Sequence, residues 1–266
     1  MFINGAGKGE RLDKILVSLG VGSRSEVQKL VKRGQVLLNG NLMKDPSVHI
    51  QAQGAVFSIQ GEELVYTEFA YYMLNKPQGV LSATRSPVGE QTVMDLLSPK
   101  DSRPGIFPVG RLDKDSEGLL LLSNDGKLAH RLLSPKRHVP KRYLVSYEGI
   151  PEEGAAEAFK NGIILDDGEL CLPASLILQP SEESMAYRQL DSAGLTWAEV
   201  IITEGKFHQV KRMMQVVGCN VTWLKRISFG SLLLDKSLAP GEYRPLTGDE
   251  VAALSTTTKE DSALVT

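Results

Sequence analysis

The 266-residue chain is 42% hydrophobic and 23% charged, which fits a soluble globular protein of one large domain or two moderate ones. No apolar run approaches the ~18 residues of a membrane span, and MFINGAGKGE lacks the apolar core of a secretory signal, so a cytoplasmic location is expected. The net charge of −2 argues against nucleic acid only on average, because an electrostatic footprint depends on clustering.

Residues 10–50 read as a compact unit. Leu12, Ile15, Leu16 and Leu19 follow helical spacing, and Gly20 is placed to end that helix. Ser23 with Glu26 three residues on forms the pattern of a capping box. Val27, Leu30 and Val31 stripe the second helix, and Gly34 closes it. Gln35–Leu38 reads as a strand, Asn39-Gly40 as a hairpin turn, and Leu42 opens the return strand. Lys8, Arg11, Lys14, Arg24, Lys29, Lys32, Arg33 and Lys44 face four acids here: Glu10, Asp13, Glu26 and Asp45. Gln51–Glu63 reads as a polar linker, with the domain boundary near residues 60–68.

From Ala70 the texture is strand-rich. Strands are expected over Tyr71–Leu74, Gly118–Ser123, Tyr143–Tyr147 and Ala198–Thr203. Helices are expected around Leu128, Leu132 and Leu133, and over Phe207–Val217 with Val210, Met213, Met214 and Val217 inward. The fold class is therefore α+β: a mixed, mainly antiparallel sheet with flanking helices behind a small N-terminal domain. Domains are expected at 8–60 and 68–252, with a disordered tail at 255–266. Lys136, Arg137, Lys141 and Arg142 form one basic cluster, and Lys206, Lys211, Arg212, Lys225 and Arg226 another against Glu204. The acidic run Glu152, Glu153, Glu157, Asp166, Asp167 and Glu169 is expected to face away from RNA.

The tetrapeptide Arg-Leu-Asp-Lys occurs twice, at 11–14 and 111–114. In the first copy Asp13 lies in a helix first turn, where the dipole favours an acid. In the second, Asp113 begins a polar loop between apolar segments, a place where catalytic groups sit on rigid strands. The tetrapeptide itself has no fixed meaning, and by itself a loop aspartate is most often a turn former.

RLDKILVSLGVGSRSEVQKLVKRGQVLLNG resembles the S4 domain, a small RNA-binding module. FPVGRLDKDSEGLLLLSNDGKLAHRLLSPKRHVPKRYLV resembles the catalytic core of the pseudouridine synthases. Asn75-Lys76-Pro77-Gln78-Gly79-Val80, Lys141-Arg142-Tyr143-Leu144-Val145 and Glu204–Met213 are similar to three further motifs, in the family's order. SPKRHVPKRYLV and LAPGEYRPLT look like the branch acting on small-subunit (16S) ribosomal RNA rather than the large-subunit one.

The resemblance implies isomerisation of a uridine to pseudouridine. The C1′–N1 bond breaks, the uracil turns, and it rejoins through C5. Asp113 would be the catalytic carboxylate, by covalent adduct or by ribose deprotonation. Tyr143 would stack on the base, and Lys211 would pair with Asp113. A lysine at that place cannot pair bidentately as an arginine does. RNA contacts are expected from Arg11, Lys14, Arg24, Lys29, Lys32, Arg33, Lys76, Arg111, Lys141 and Arg142, with His208 and Gln209 in support. Flipping the uridine costs ~a few kcal/mol, part of which a nearby cation could offset. The family needs no cofactor, and no metal is expected: Cys171 and Cys219 are far apart, and His49, His130, His138 and His208 are scattered. The expected partner is ribosomal RNA, and the expected state is a monomer. Rival readings are the same chemistry on large-subunit RNA, a silent RNA-binding assembly factor, and a hydrolase using Asp115 or Glu117 as second acid.

Overall fold

A computed structural model describes residues 9–188 and 194–260. Two compact units are present: Met1–Ala70 with Leu97–Ile106, and Tyr71–Leu96 with Phe107–Thr266.

The first unit holds β1 (Glu10–Arg11), α1 (Leu12–Ser18), α2 (Arg24–Lys32), β2 (Val36–Leu38), β3 (Asn41–Met43), β4 (His49–Ile50), β5 (Val56–Ile59) and β6 (Glu62–Val65). Both helices form because apolar residues recur on one face. Leu12, Ile15 and Leu16 of α1 and Val27 and Val31 of α2 are wholly buried against Val36 and Phe57. The Ser23 hydroxyl accepts from the Glu26 amide while the Glu26 carboxylate accepts from the Ser23 amide, so α2 starts on a complete capping box. Asn39 and Gly40 both have positive φ, +47° and +80°, as a two-residue hairpin turn requires.

The stretch read as a linker corrects the sequence expectation. Val56–Ile59 and Glu62–Val65 pair antiparallel and complete a four-stranded sheet of order β3-β2-β5-β6. Phe57 and Ile59 alternate inward beneath a polar surface, which gives the segment its linker-like composition.

The second unit is built on a nine-stranded sheet. Its strands are β7 (Tyr71–Lys76), β8 (Phe107–Val109), β9 (Glu117–Ser123), β10 (Lys141–Gly149), β11 (Ser175–Ile177), β12 (Thr196–Ile202), β13 (Cys219–Phe229), β14 (Leu232–Leu233) and β15 (Tyr243–Pro245). The order is β11-β12-β10-β13-β9-β7-β15, with β8 on β9 and β14 on β13. Every strand pairing is antiparallel except β13 with β9, so the sheet is mixed. Helices α3 (Gly126–Leu133), α4 (Ala155–Asn161), α5 (Glu182–Met185), α6 (Gln209–Val216) and α7 (Gly248–Glu260) accompany it. Leu128, Ala129 and Leu132 of α3 and Leu254 of α7 join Met73, Leu119 and Leu121 in one core.

Helix α7 corrects a second expectation. Residues 255–260, read as part of a disordered tail, continue the helix, and residues 261–266 lie outside the described residues. Leu254, wholly buried, anchors that helix beyond the expected end of the domain at 252. Among the described residues no helix is long and apolar enough to cross a membrane.

Candidate active site

The segment from Gly110 to Ser116 connects β8 to β9, and several contacts fix its backbone. Gly110 has φ +82°, and a Cβ there would come within 2.9 Å of the Leu133 side chain. The Leu112 amide donates to the Ser82 hydroxyl at 3.1 Å, and that hydroxyl donates back to the Leu112 carbonyl at 2.8 Å. The Ser116 amide closes a turn on the Asp113 carbonyl, and the Gly79 amide donates to the Lys114 carbonyl. Downstream, Gly118 has φ +101° and faces Arg226 so closely that a Cβ would collide with the Arg226 carbonyl.

Lys76 completes this frame from the inside, contrary to the expectation that it faces RNA. It is wholly buried. Its ammonium donates to the carbonyls of Pro77, Asp113 and Ser116 at 2.9–3.1 Å, with that of Lys114 at 3.3 Å. Burial pulls its pKa down to about 8, against the opposing pull of the Asp115, Asp113 and Glu117 carboxylates. The lysine is a strut for the loop that carries Asp113.

Asp113 presents its carboxylate to a cavity of about 490 Å³, within the ~300–1,000 Å³ typical of small-ligand sites. Its side chain is 29% exposed, and its carboxylate oxygens accept no hydrogen bond among the described residues. Two cationic or potentially cationic groups stand just outside bonding range: His208 Nε2 at 3.5 Å and Lys211 Nζ at 4.0 Å. Lys211 instead holds Asp115, 2.6 and 2.7 Å from its two oxygens. Burial pushes the Asp115 carboxyl up, but the hydrogen bond and charge of Lys211 outweigh it and leave the group below its ordinary value. Lys211 thus stands at ion-pair distance from Asp113 while its hydrogen bonds go to Asp115.

Tyr143 lines the same cavity from β10. It is 7% exposed, and its hydroxyl has no partner among the described residues. Opposite the Arg142/Tyr143 step, β13 carries an extra residue: Arg142 pairs with Ser228 and Tyr143 with Arg226, so Ile227 is skipped. Such bulges bend a strand and re-aim its side chains.

The other expected contacts divide. Arg111 lines the cavity, is exposed and has no ion pair or hydrogen bond among the described residues. Lys141 lines it too but is buried, donates to the Val139 carbonyl, and is pulled down to about 8 by burial and by the charge of Arg226. Gln209 is buried and structural. Its amide donates to Glu204 while its oxygen accepts the Lys206 amide, which shapes the turn before α6. Arg142 is paired with the buried Glu199 at 3.3 Å, and Glu199 also accepts from the Ser184 hydroxyl. In the first unit Arg11 and Arg24 are drawn to Asp13, and Lys14 to Glu10, whereas Lys29, Lys32 and Arg33 are exposed and unpaired among the described residues.

Part of the acidic run pairs with the second basic cluster. Asp166 and Asp167 grip Arg212 and Glu169 grips Lys206, so much of that positive charge is neutralised within the chain. Lys225 and Arg226 are buried in the sheet. Among the residues that line the cavity or hold its loop, Ser82, Ser116 and Phe207 were not among the expected site residues. Only Phe207 carried a signal, being an aromatic between a glycine-lysine turn and a histidine. Among the described residues no cluster of His, Cys, Asp and Glu could hold a metal ion.

Comparison with known proteins accords with this architecture. Residues 70–216 match the RNA pseudouridylate synthase family and residues 10–56 the S4 domain. An uncharacterized RNA pseudouridine synthase of Bacillus subtilis, YtzG, is 46% identical over 92% of this chain and 98% of its own. Ribosomal small subunit pseudouridine synthase A of Salmonella typhimurium is 35% identical over 92% and 99%, and ribosomal large subunit pseudouridine synthase B of Bacillus subtilis is 34% identical over 92% and 95%. A crystal structure of a pseudouridylate synthase, 36% identical, superposes with a TM-score of 0.59 over 92% of this chain and 99% of that one. The chain is a member of the RNA pseudouridylate synthase family that carries an N-terminal S4 domain.

Proposed function

We propose that this enzyme converts a specific uridine of small-subunit (16S) ribosomal RNA to pseudouridine, with Asp113 as the reacting carboxylate, Tyr143 as the base-stacking ring and Lys211 as the cation beside them. The observation that carries the assignment is the Asp113 carboxylate. It faces a cavity that Tyr143 also lines, accepts no hydrogen bond among the described residues, and has His208 Nε2 at 3.5 Å and Lys211 Nζ at 4.0 Å. A carboxylate spent on internal bonds could neither attack the ribose nor take a proton from it. Here C1′–N1 breaks, C1′–C5 forms, the hydrogen on C5 leaves as a proton, and N1 takes up a proton in its place.

The N-terminal S4 module would hold neighbouring RNA through Lys29, Lys32 and Arg33, while the synthase domain presents the uridine. The protein acts as a cytoplasmic monomer and needs no cofactor. The large-subunit reading has one specific support: the large-subunit relative is 34% identical against 35% for the small-subunit one. Tritium release from 16S and 23S RNA labelled at uridine C5, free or partly assembled, separates the two. Release from 16S RNA alone, abolished by Asp113→Asn, is the expected result. Release from 23S RNA alone moves the substrate, and tight binding with no release from any form sinks the catalytic reading.

A further inference from the structure

Helix α6 is preceded by Phe207 and His208, whose rings stack at 3.9 Å with 16° between their planes. His208 is fixed in the left-handed region at φ +49°, uncommon for a residue other than glycine, and its ring stands 3.5 Å from Asp113. Phe207 is 73% exposed. Isolated exposed aliphatic side chains are ordinary, and the described residues include a dozen. Phe207 is the one aromatic ring among the strongly exposed hydrophobics of the described residues, and it lines the Asp113 cavity. Leaving a phenyl ring in water forgoes the stabilisation that burial would give it, yet its stacked neighbour and the rigid turn hold it in place. Arg111, an exposed cation with no partner among the described residues, lines the same cavity.

A flat apolar face and a free guanidinium lining one cavity match the two halves of a nucleotide, its base and its phosphate. We propose that Phe207, braced by His208, is a stacking platform for an unpaired nucleobase adjacent to the reacting uridine, with Arg111 holding the phosphate between them. A protein side chain would satisfy the ring but leave Arg111 without an anion. A base on this platform keeps the local strand open while its neighbour enters the cavity, so the pair contributes to RNA specificity as well as grip. This inference rests on the proposed RNA substrate.

The test is single-turnover tritium release from the RNA that wild-type protein modifies, with the half-saturating protein concentration and plateau rate measured separately. RNA carrying 2-aminopurine beside the target uridine reports stacking by fluorescence quenching. Phe207→Ala should raise half-saturation about tenfold or more, with a smaller change in plateau rate, and relieve the quenching. Phe207→Tyr should restore both, and Phe207→Leu, apolar but not flat, should restore neither. Rescue by leucine, or unchanged half-saturation in Phe207→Ala, overturns the platform while leaving the synthase reading intact. Absence of tritium release by the wild type overturns both.

Discussion

The two Arg-Leu-Asp-Lys copies meet opposite fates. Asp13 is wholly buried and saturated: Arg11 grips it with two hydrogen bonds, and Arg24 and Gln28 add one each. The Arg11 hydrogen bonds hold its carboxyl well below the usual aspartate range, burial opposing, with Gln28 and Arg24 helping. Asp113 is partly exposed, accepts no hydrogen bond among the described residues, and has the His208 ring nitrogen at 3.5 Å and the Lys211 ammonium at 4.0 Å. The leucine is buried in both copies; what differs is the surroundings of the acid. One carboxylate is consumed in holding its unit together. The other is held in place through its backbone, which leaves the side chain available for chemistry.

This contrast can be broken by exchanging the symptoms of two conservative substitutions. Asp113→Asn should lower the rate of tritium release by at least ~10³-fold, the order lost when a reacting group is removed, and leave the melting temperature within a degree or two. Asp13→Asn should do the reverse. Loss of hydrogen bonds to a buried charged group should cost roughly 1.5–3 kcal/mol in denaturant unfolding, while the rate on saturating RNA changes little. The Asp13 contribution also has a definite pH signature. Its folded pKa is depressed, so the stabilisation is fully present above the ordinary aspartate value of ~4 and lost as pH falls below it. Wild-type stability should therefore drop more steeply on acidification than that of Asp13→Asn, and parallel curves would refute the account.

Lys76→Met sharpens the comparison from the backbone side. Several carbonyls of the Asp113 loop lose their donor, and an unfolding loss of about 1–3 kcal/mol is expected, with the salt dependence of RNA binding unchanged. A salt slope reduced by about one would return Lys76 to the RNA-facing role that the sequence suggested. The smallest effect is expected at Asp115, 70% exposed on its side chain. Asp115→Asn should leave stability within ~0.5 kcal/mol but free Lys211 to turn toward Asp113, altering the pH profile of the rate more than its maximum.

Much of the scaffold was legible because it follows local rules. The α1 stripe, the Ser23 capping box and the Asn39-Gly40 turn each depend on residues within a few positions of one another. The Asp113 loop and the cavity-facing Tyr143 were legible through motif resemblance, since nothing local separates Asp113 from Asp13. Side-chain destinations were not legible. Lys76, Lys141 and Gln209 read as RNA-facing groups, yet all three are buried: Lys76 on carbonyls 37 and 40 positions further along, Lys141 and Gln209 on near neighbours that the sheet and the turn before α6 close over. The β5–β6 hairpin was hidden by its polar face, although Val56, Phe57 and Ile59 flank the Gln60-Gly61 turn. The pairing of the acidic segment with Arg212 was out of reach for the same reason: Asp166 lies 46 positions from Arg212, a distance no periodicity spans.

The abutment of Gly118 on Arg226 has a consequence for when the enzyme can exist during synthesis. It belongs to the one parallel strand pairing, which joins segments more than a hundred positions apart, and it is reinforced by Arg226 Nε on the Leu119 carbonyl and Trp223 Nε1 on Glu117. Contacts of such separation form late, after loop closure has been offset by the rest of the sheet. A ribosome that has translated the Asp113 loop has not yet made β13, the strand on which the start of β9, just beyond that loop, is seated. Competence to modify RNA therefore arrives only once β13 has been made, long after the helices of the N-terminal unit have emerged.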